Sequence, residues 1–296
     1  MTASAVPSPK EQHVSSETVS VAPSAFGGPN PRAAEDAELL LGVVAAVQAA
    51  GARMVEVMPF RPEHTTRDQV VAAIHANDDE SLAVMQPLLS ALVPGAGWVE
   101  DELESGALTD GEWWVTDPVE GNINHVHGMT DWGVTATLVR DNRPVLTAVH
   151  LPLLGDTYTA VHGGGAFQNG EPLRLSGKVA LDSALVGTGQ ARPGESHLTF
   201  ERIGRSATAM LDAALVIKVS VPATLQLIHV AAGRMEAFWQ FSQVRSGLLA
   251  GALLVAEAGG PVTDTRGRPW SLTSDDFLAT TPLLHAEAVA VLSTIG

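Results

Sequence analysis

Asp117 and Glu120 are the residues of this 296-residue sequence whose type and spacing most clearly invite chemistry. They follow the apolar run Trp114-Val115-Thr116, lie three positions apart, and sit on a segment broken by Pro118 and Gly121. Two carboxylates delivered onto such a turn at a strand end are hard oxygen ligands of the kind Mg²⁺ takes. Two imidazoles follow, His125 and His127. On an extended segment residues two apart face the same side, so the pair beside Glu120 would suit general acid–base catalysis near neutral pH. They would also suit a softer transition metal, although two histidines at this spacing are a weak metal signal.

Apolar periodicity predicts the elements that must carry this turn. Leu39, Leu40, Val43, Val44, Val47 and Ala50 recur at helical spacing from Ala33 to about Val55, with Glu35, Asp36 and Glu38 in the first turn complementing the helix dipole. A second helix is expected from Arg67 to about Leu92, ended by Pro94-Gly95. Strand-like runs cover Trp113 to Thr116, Gly133 to Val139, Pro144 to His150 and Thr157 to Val161, with Arg140 to Arg143 as a hairpin turn. Farther on, Ala184 to Gly187 and Ala237 to Trp239 read as strands, and Leu225 to Ala232 and Leu248 to Ala258 as helices, the last stopped by Gly259-Gly260. Gly163 to Gly165 lacks a following Lys-Ser/Thr and reads as a tight turn, not a phosphate loop. This order implies a tail over residues 1–32, an α+β subdomain over 33–180 that carries the carboxylate turn, and an α/β subdomain over 181–296, with a site between them.

Composition bounds the function. A net charge of −16 offers no basic patch, which argues against nucleic acid or an acidic membrane surface as partner. It also means that an anionic substrate needs local help from a metal, an Arg or a helix N-terminus. The absence of cysteine excludes disulfides, thiolate catalysis and thiolate metal sites. Residues 1–32 are rich in Ser, Pro, Ala and Val without an apolar signal-like core, and no uninterrupted apolar run is long enough to cross a bilayer. A cytoplasmic location is the expectation, and the excess of Arg over Lys with abundant Ala points to a GC-rich bacterial genome.

Trp114, Asp117-Pro118, Gly121 and Asn124 resemble the signature Trp-x-x-Asp-Pro-Ile/Leu-Asp-Gly-Thr-x-Asn of the inositol monophosphatase superfamily. His150-Leu151-Pro152, Gly163-Gly164-Gly165-Ala166-Phe167-Gln168-Asn169-Gly170, Val230-Ala231-Ala232-Gly233-Arg234 and Glu257-Ala258-Gly259-Gly260 resemble its downstream landmarks, in order, from about Ala37 onward. The resemblance implies a layered αβαβα sandwich, a homodimer, a small-molecule substrate and Mg²⁺-dependent, Li⁺-sensitive phosphomonoesterase chemistry. In such enzymes two or three Mg²⁺ ions bind the phosphate, lower the pKa of an attacking water and stabilise the leaving alkoxide.

The same resemblance shows where this sequence departs. Possible Mg²⁺ ligands carried over are Asp101, Glu102, Asp117 and Glu120, with Asp78 or Asp79 for a third ion, but Glu120 stands where the family has Asp. Asn122 replaces the water-orienting Thr, and His125 replaces Phe. Ser246-Gly247 replaces Trp-Asp, so a metal ligand becomes a residue with no side chain. Gln240 replaces a substrate-contacting Glu, Gln226 a buried Asp, and Val221-Pro222 a Gly-Ser pair. His150 and Arg245 are further candidates for substrate contact, Arg245 by supplying charge where a metal is lost. The expected catalytic set is therefore Asp117, Glu120, Asn122, His125 and His127. Mg²⁺ binds weakly without several oxygen ligands. The leading expectation is thus metal-independent acid–base chemistry, a cyclisation, dehydration or isomerisation in specialised metabolism. A Mg²⁺-dependent phosphatase of a polyol, histidinol or nucleotide phosphate and a non-catalytic binding protein are the alternatives.

Overall fold

The computed structural model describes residues 26–59, 61, 64–99, 106–192, 194–242 and 244–295. In chain order they form α1 (Ala33–Val57), α2 (Arg67–Leu92), β1 (Gly97–Trp98), β2 (Glu112–Glu120), α3 (Asn122–Val126), β3 (Gly133–Arg140), β4 (Arg143–Leu151), β5 (Asp156–Val161), β6 (Gly165–Gln168) and β7 (Glu171–Pro172). The second half adds β8 (Leu185–Thr188), α4 (His197–Ala213), β9 (Val216–Val219), α5 (Ala223–Ala231), β10 (Ala237–Gln240), α6 (Arg245–Glu257), β11 (Val262–Thr263), β12 (Phe277–Thr280) and α7 (His285–Leu292).

Two sheets and three helical layers alternate. Strands β1 to β7 lie side by side in sequence order, antiparallel except for β1 against β2. The other sheet runs β11-β12-β10-β8-β9, with β10, β8 and β9 parallel. Helices α1 and α2 cover the outer face of the larger sheet, α5 and α6 fill the space between the sheets, and α4 and α7 cover the outer face of the smaller one. The αβαβα layering expected from the resemblance is present, and it explains the unbroken apolar runs. β3 and β4 have helices on both faces, so nearly every residue in them is buried.

Helix α1 is long and apolar enough by composition to cross a membrane. Its stripe Val43, Ala46, Val47, Ala50 and Met54 is instead fully buried in the fold, the first four packing with β3 and β4 residues such as Val134, Ala136, Leu146 and Ala148. Thr66 and Gln69 form a reciprocal capping box at the start of α2. The segment 26–32, which the sequence reading assigns to the tail, belongs to the fold. Phe26 is buried edge-on to Trp270, ring centroids 6.3 Å apart, and Arg32 pairs with Glu112 at 3.0 Å. Residues 1–25 lie outside the described residues. Asp36, expected only to complement the helix dipole, is fully buried and bonded by both ends of the Arg140 guanidinium at 2.9 and 3.1 Å.

Candidate active site

β2 carries Asp117 and Glu120 through a bulge. Its pairing with β3 is regular as far as Asp117 opposite Thr135 and resumes with Glu120 opposite Gly133. Ser81 of α2 donates to the Pro118 carbonyl at 2.6 Å, and the Asp117 N–H donates to Thr135 Oγ1 at 3.1 Å. Gly121 then turns the chain at φ 84°. A Cβ there would lie 2.8 Å from the Asp131 carbonyl and 3.0 Å from two ring atoms of Pro222, so this turn requires glycine. Asn124 seals it, donating to the carbonyls of Asp131 (2.7 Å) and Val221 (3.1 Å).

Asp117 and Glu120 line a cleft of about 190 Å³ whose wall also includes Gly189, Arg192, Gln240, Ser246 and Gly247. It opens where the C-terminal ends of the parallel strands β8 and β10 meet the starts of α5 and α6, the usual ligand position in open α/β sheets. Neither helix has a side-chain hydrogen bond at its N-cap, and the dipole at each start favours an anion. Arg192 is paired with Glu195 at 3.4 Å, and Glu195 accepts from Ser242 at 2.8 Å. That chain of contacts ties the segment after β8 to the segment after β10. Gln240 donates to the Ser242 carbonyl at 2.8 Å, and its Oε1 stands 2.5 Å from where a Cβ of Gly189 would be.

Glu120 is 3 % exposed, and its Oε2 accepts a 2.6 Å hydrogen bond from Thr224 Oγ1. Thr224, fully buried on α5, also lies 3.0 Å from the Gly247 carbonyl of α6. The two helices approach this closely because of Gly251, where a Cβ would stand 2.4 Å from Leu227 Cβ and Cδ1. Gly247 differs. A Cβ there would touch only Val244 Cγ1, at an ordinary 3.7 Å, so no packing demand accounts for glycine at that position.

The histidine pair is placed otherwise than the sequence suggests. Residues 122–126 form the short helix α3, not an extended segment, so positions two apart diverge. His125 is fully buried, with Nε2 2.9 Å from the Met54 carbonyl and Nδ1 3.0 Å from the amide nitrogen of Asn77. Those partners demand a donor at Nε2 and an acceptor at Nδ1, a neutral imidazole, and burial holds its pKa below the ordinary value. Trp132 packs edge-on at 4.8 Å. His127 is exposed and turned back on its own helix, Nδ1 2.7 Å from the Ile123 carbonyl.

Asn122 is likewise committed away from the cleft. It donates to the Ile74 carbonyl (2.9 Å) and Asp78 (2.6 Å) and accepts from Asn77 (2.8 Å), which uses both amide protons. His150 lies against α1, its ring 2.8 Å from where a Gly51 Cβ would be and Nδ1 3.0 Å from Thr157 Oγ1. Arg245 begins α6, but its guanidinium donates to the Gly106 carbonyl at 2.8 Å and lines a separate small pocket with Trp270 and Asp276. Of the expected site residues, the cleft brings together Asp117, Glu120, Gln240 and Gly247. His125, His127, Asn122, His150 and Arg245 point elsewhere, each held by packing or hydrogen bonds that spacing cannot reveal. Asp101 and Glu102 lie outside the described residues. Thr224 and Arg192 were not singled out from the sequence. The one available signal was the presence of Thr224, Gln226 and His229 in the otherwise apolar stretch Ala223 to Ala231.

Among the described residues, which do not include Asp101 and Glu102, no group of three or more His, Asp or Glu side chains that could hold a metal occurs. The cleft wall, among the described residues, holds the carboxylates of Asp117 and Glu120, the latter bonded to Thr224, and a bare Gly247.

Residues 35–296 match the family model described as the inositol monophosphatase family. A fructose-1,6-bisphosphatase/inositol-1-monophosphatase of Thermotoga maritima is 32% identical over 193 residues, 65% of this chain and 72% of that relative. The Nus factor SuhB of Pseudomonas aeruginosa is 36% identical over 208 residues, 69% of this chain and 75% of its own. Among solved structures, the extragenic suppressor protein suhB of Bartonella henselae superposes with a TM-score of 0.72 at 24% identity, over 86% of this chain and 99% of the other.

Proposed function

The chain belongs to the inositol monophosphatase family, and from that premise we propose an enzyme that carries out metal-independent proton transfer on a small anionic molecule in the family's cleft. The substrate's anionic group binds at the starts of α5 and α6 and at Arg192, with Gln240 as a polar contact. Asp117 and Glu120 exchange the proton in a dehydration, cyclisation or isomerisation. The acid–base role that the sequence suggested for His125 falls to these carboxylates, because His125 is buried behind them with both ring nitrogens bonded. The observation that carries the reading is Gly247. It sits on the cleft wall with room for a side chain, yet presents none where the family resemblance expects a carboxylate ligand.

A second reading, a Mg²⁺-dependent phosphomonoesterase, draws support from the two carboxylates still lining the cleft beside two uncapped helix starts. Calorimetry with Mg²⁺ and phosphate-release assays on inositol, histidinol and bisphosphorylated nucleotide substrates separate the two. Neither binding heat nor phosphate release is expected. Mg²⁺-stimulated release abolished by EDTA would overturn the first reading in favour of the second. A second copy of this chain is the proposed partner, readable as a dimer mass by light scattering.

A further inference from the structure

We infer that Thr224 is a positioning residue that stands in for a cation as the partner of Glu120 and so sets the metal affinity of the cleft. Three observations converge on it. Its hydroxyl is 2.6 Å from Glu120 Oε2, a short contact between a neutral donor and a carboxylate. The same oxygen is 3.0 Å from the Gly247 carbonyl. Thr224 is also fully buried, so water does not compete for that hydrogen bond.

The hydroxyl thus lies between Glu120 and residue 247, the two positions from which a shared cation would draw its oxygen ligands. A Thr hydroxyl has one proton. At these distances Glu120 receives it, and the carboxylate gains its electropositive neighbour from the protein. The close approach of α5 and α6 at Gly251 fixes this geometry, since Thr224 and Leu227 lie on the α5 face that meets Gly247 and Gly251 of α6. A cation recruited to Glu120 must compete with a partner already in place, and it finds no side chain at Gly247 to compensate. The missing side chain at Gly247 and the hydroxyl of Thr224 thus act in the same direction, against a cation at Glu120.

The inference concerns metal affinity and can stand or fall apart from the proton-transfer reading above. Titration calorimetry with Mn²⁺ and Mg²⁺ as probes tests it on the full chain in three variants: Gly247→Asp, Gly247→Asp/Thr224→Val and Gly247→Asp/Thr224→Ser. The Val variant keeps the shape of Thr224 without its proton, and the Ser variant keeps the proton. Valine is expected to tighten Mn²⁺ binding by about tenfold over Gly247→Asp alone, the scale on which outer-shell groups move metal affinity. Serine is expected to leave it unchanged. Equal affinity in all three variants, or weaker binding with valine, overturns the inference, the latter by making Thr224 a support for the metal. Circular dichroism on each variant separates misfolding from lost binding. If the unmodified chain already binds Mg²⁺, the metal-independent reading fails, and the comparison of valine with serine still decides the role of Thr224.

Discussion

The imidazole of His125 donates from Nε2 to the main-chain carbonyl of Met54 across 2.9 Å. This bond ties α3, directly after the carboxylate turn, to α1, and the Asn77 amide completes the tie from α2. The histidine that looks most catalytic in the sequence is a buried three-way junction that holds the turn in place.

Replacing it therefore affects stability first. His125→Ala leaves the Met54 carbonyl and the Asn77 amide without their ring partners and opens a void beside Trp132, for a loss of about 2–4 kcal/mol. His127→Ala, at an exposed position, is expected to stay within about 0.5 kcal/mol. Urea unfolding measures both. An unchanged midpoint for His125→Ala would return that residue to the list of catalytic candidates.

Acid is expected to destabilise the fold through its buried imidazoles. Burial lowers the pKa of His125, His150, His229 and His285, with Lys218 and Arg234 adding to the effect at His229. Unfolded, each titrates near the ordinary value. Between the folded and unfolded pKa values the unfolded chain binds more protons, so stability falls as pH falls. Above the unfolded value all are neutral in both states and their contribution is flat. The limit is about 1.4 kcal/mol per pH unit for each histidine. Urea midpoints from pH 7.5 to 5 should decline below about 6.5, and His125→Gln should make that decline shallower. An identical slope for the variant would contradict the buried neutral state.

Two glycines of one helix should respond oppositely to alanine. At Gly251 the added methyl meets Leu227 at 2.4 Å and forces α5 and α6 apart, costing about 1–3 kcal/mol. At Gly247 it meets only Val244 at 3.7 Å, and replacing a helical glycine is expected to be neutral or to stabilise by up to about 1 kcal/mol. Thermal melts of the two variants read the difference. A destabilised Gly247→Ala would mean that this glycine is kept for packing, which would remove the observation that carries the proposed function.

Elements spaced by apolar periodicity were legible in advance. Helices α1, α2 and α6 and strands β2 to β5 lie within a few residues of where the pattern puts them, because each buries a continuous stripe or run. Helix α4 was not read from the pattern: its buried side carries a polar Ser206 beside Met210, while the apolar Leu198, Phe200 and Leu211 are exposed. Helix α3 escaped because a one-turn helix after a left-handed glycine leaves no periodic signal.

The sequence by itself determined the layered fold and the identity of the cleft, since apolar periodicity sets the elements and the spacing of Trp114, Asp117, Gly121, Asn124 and the later glycine turns carries the resemblance. Which side chains face that cleft was decided only by tertiary structure. Asn122 and His125 follow Glu120 closely in the chain, but α1 and α2 supply Met54, Ile74, Asn77 and Asp78, whose hydrogen bonds turn both residues away. Thr224, 104 positions from Glu120 in the chain, and Arg192 reach the cleft because α5 and the end of β8 converge there. Hydrogen-bond partners that are distant in sequence and near in space choose the direction of a polar side chain, and no local pattern records them.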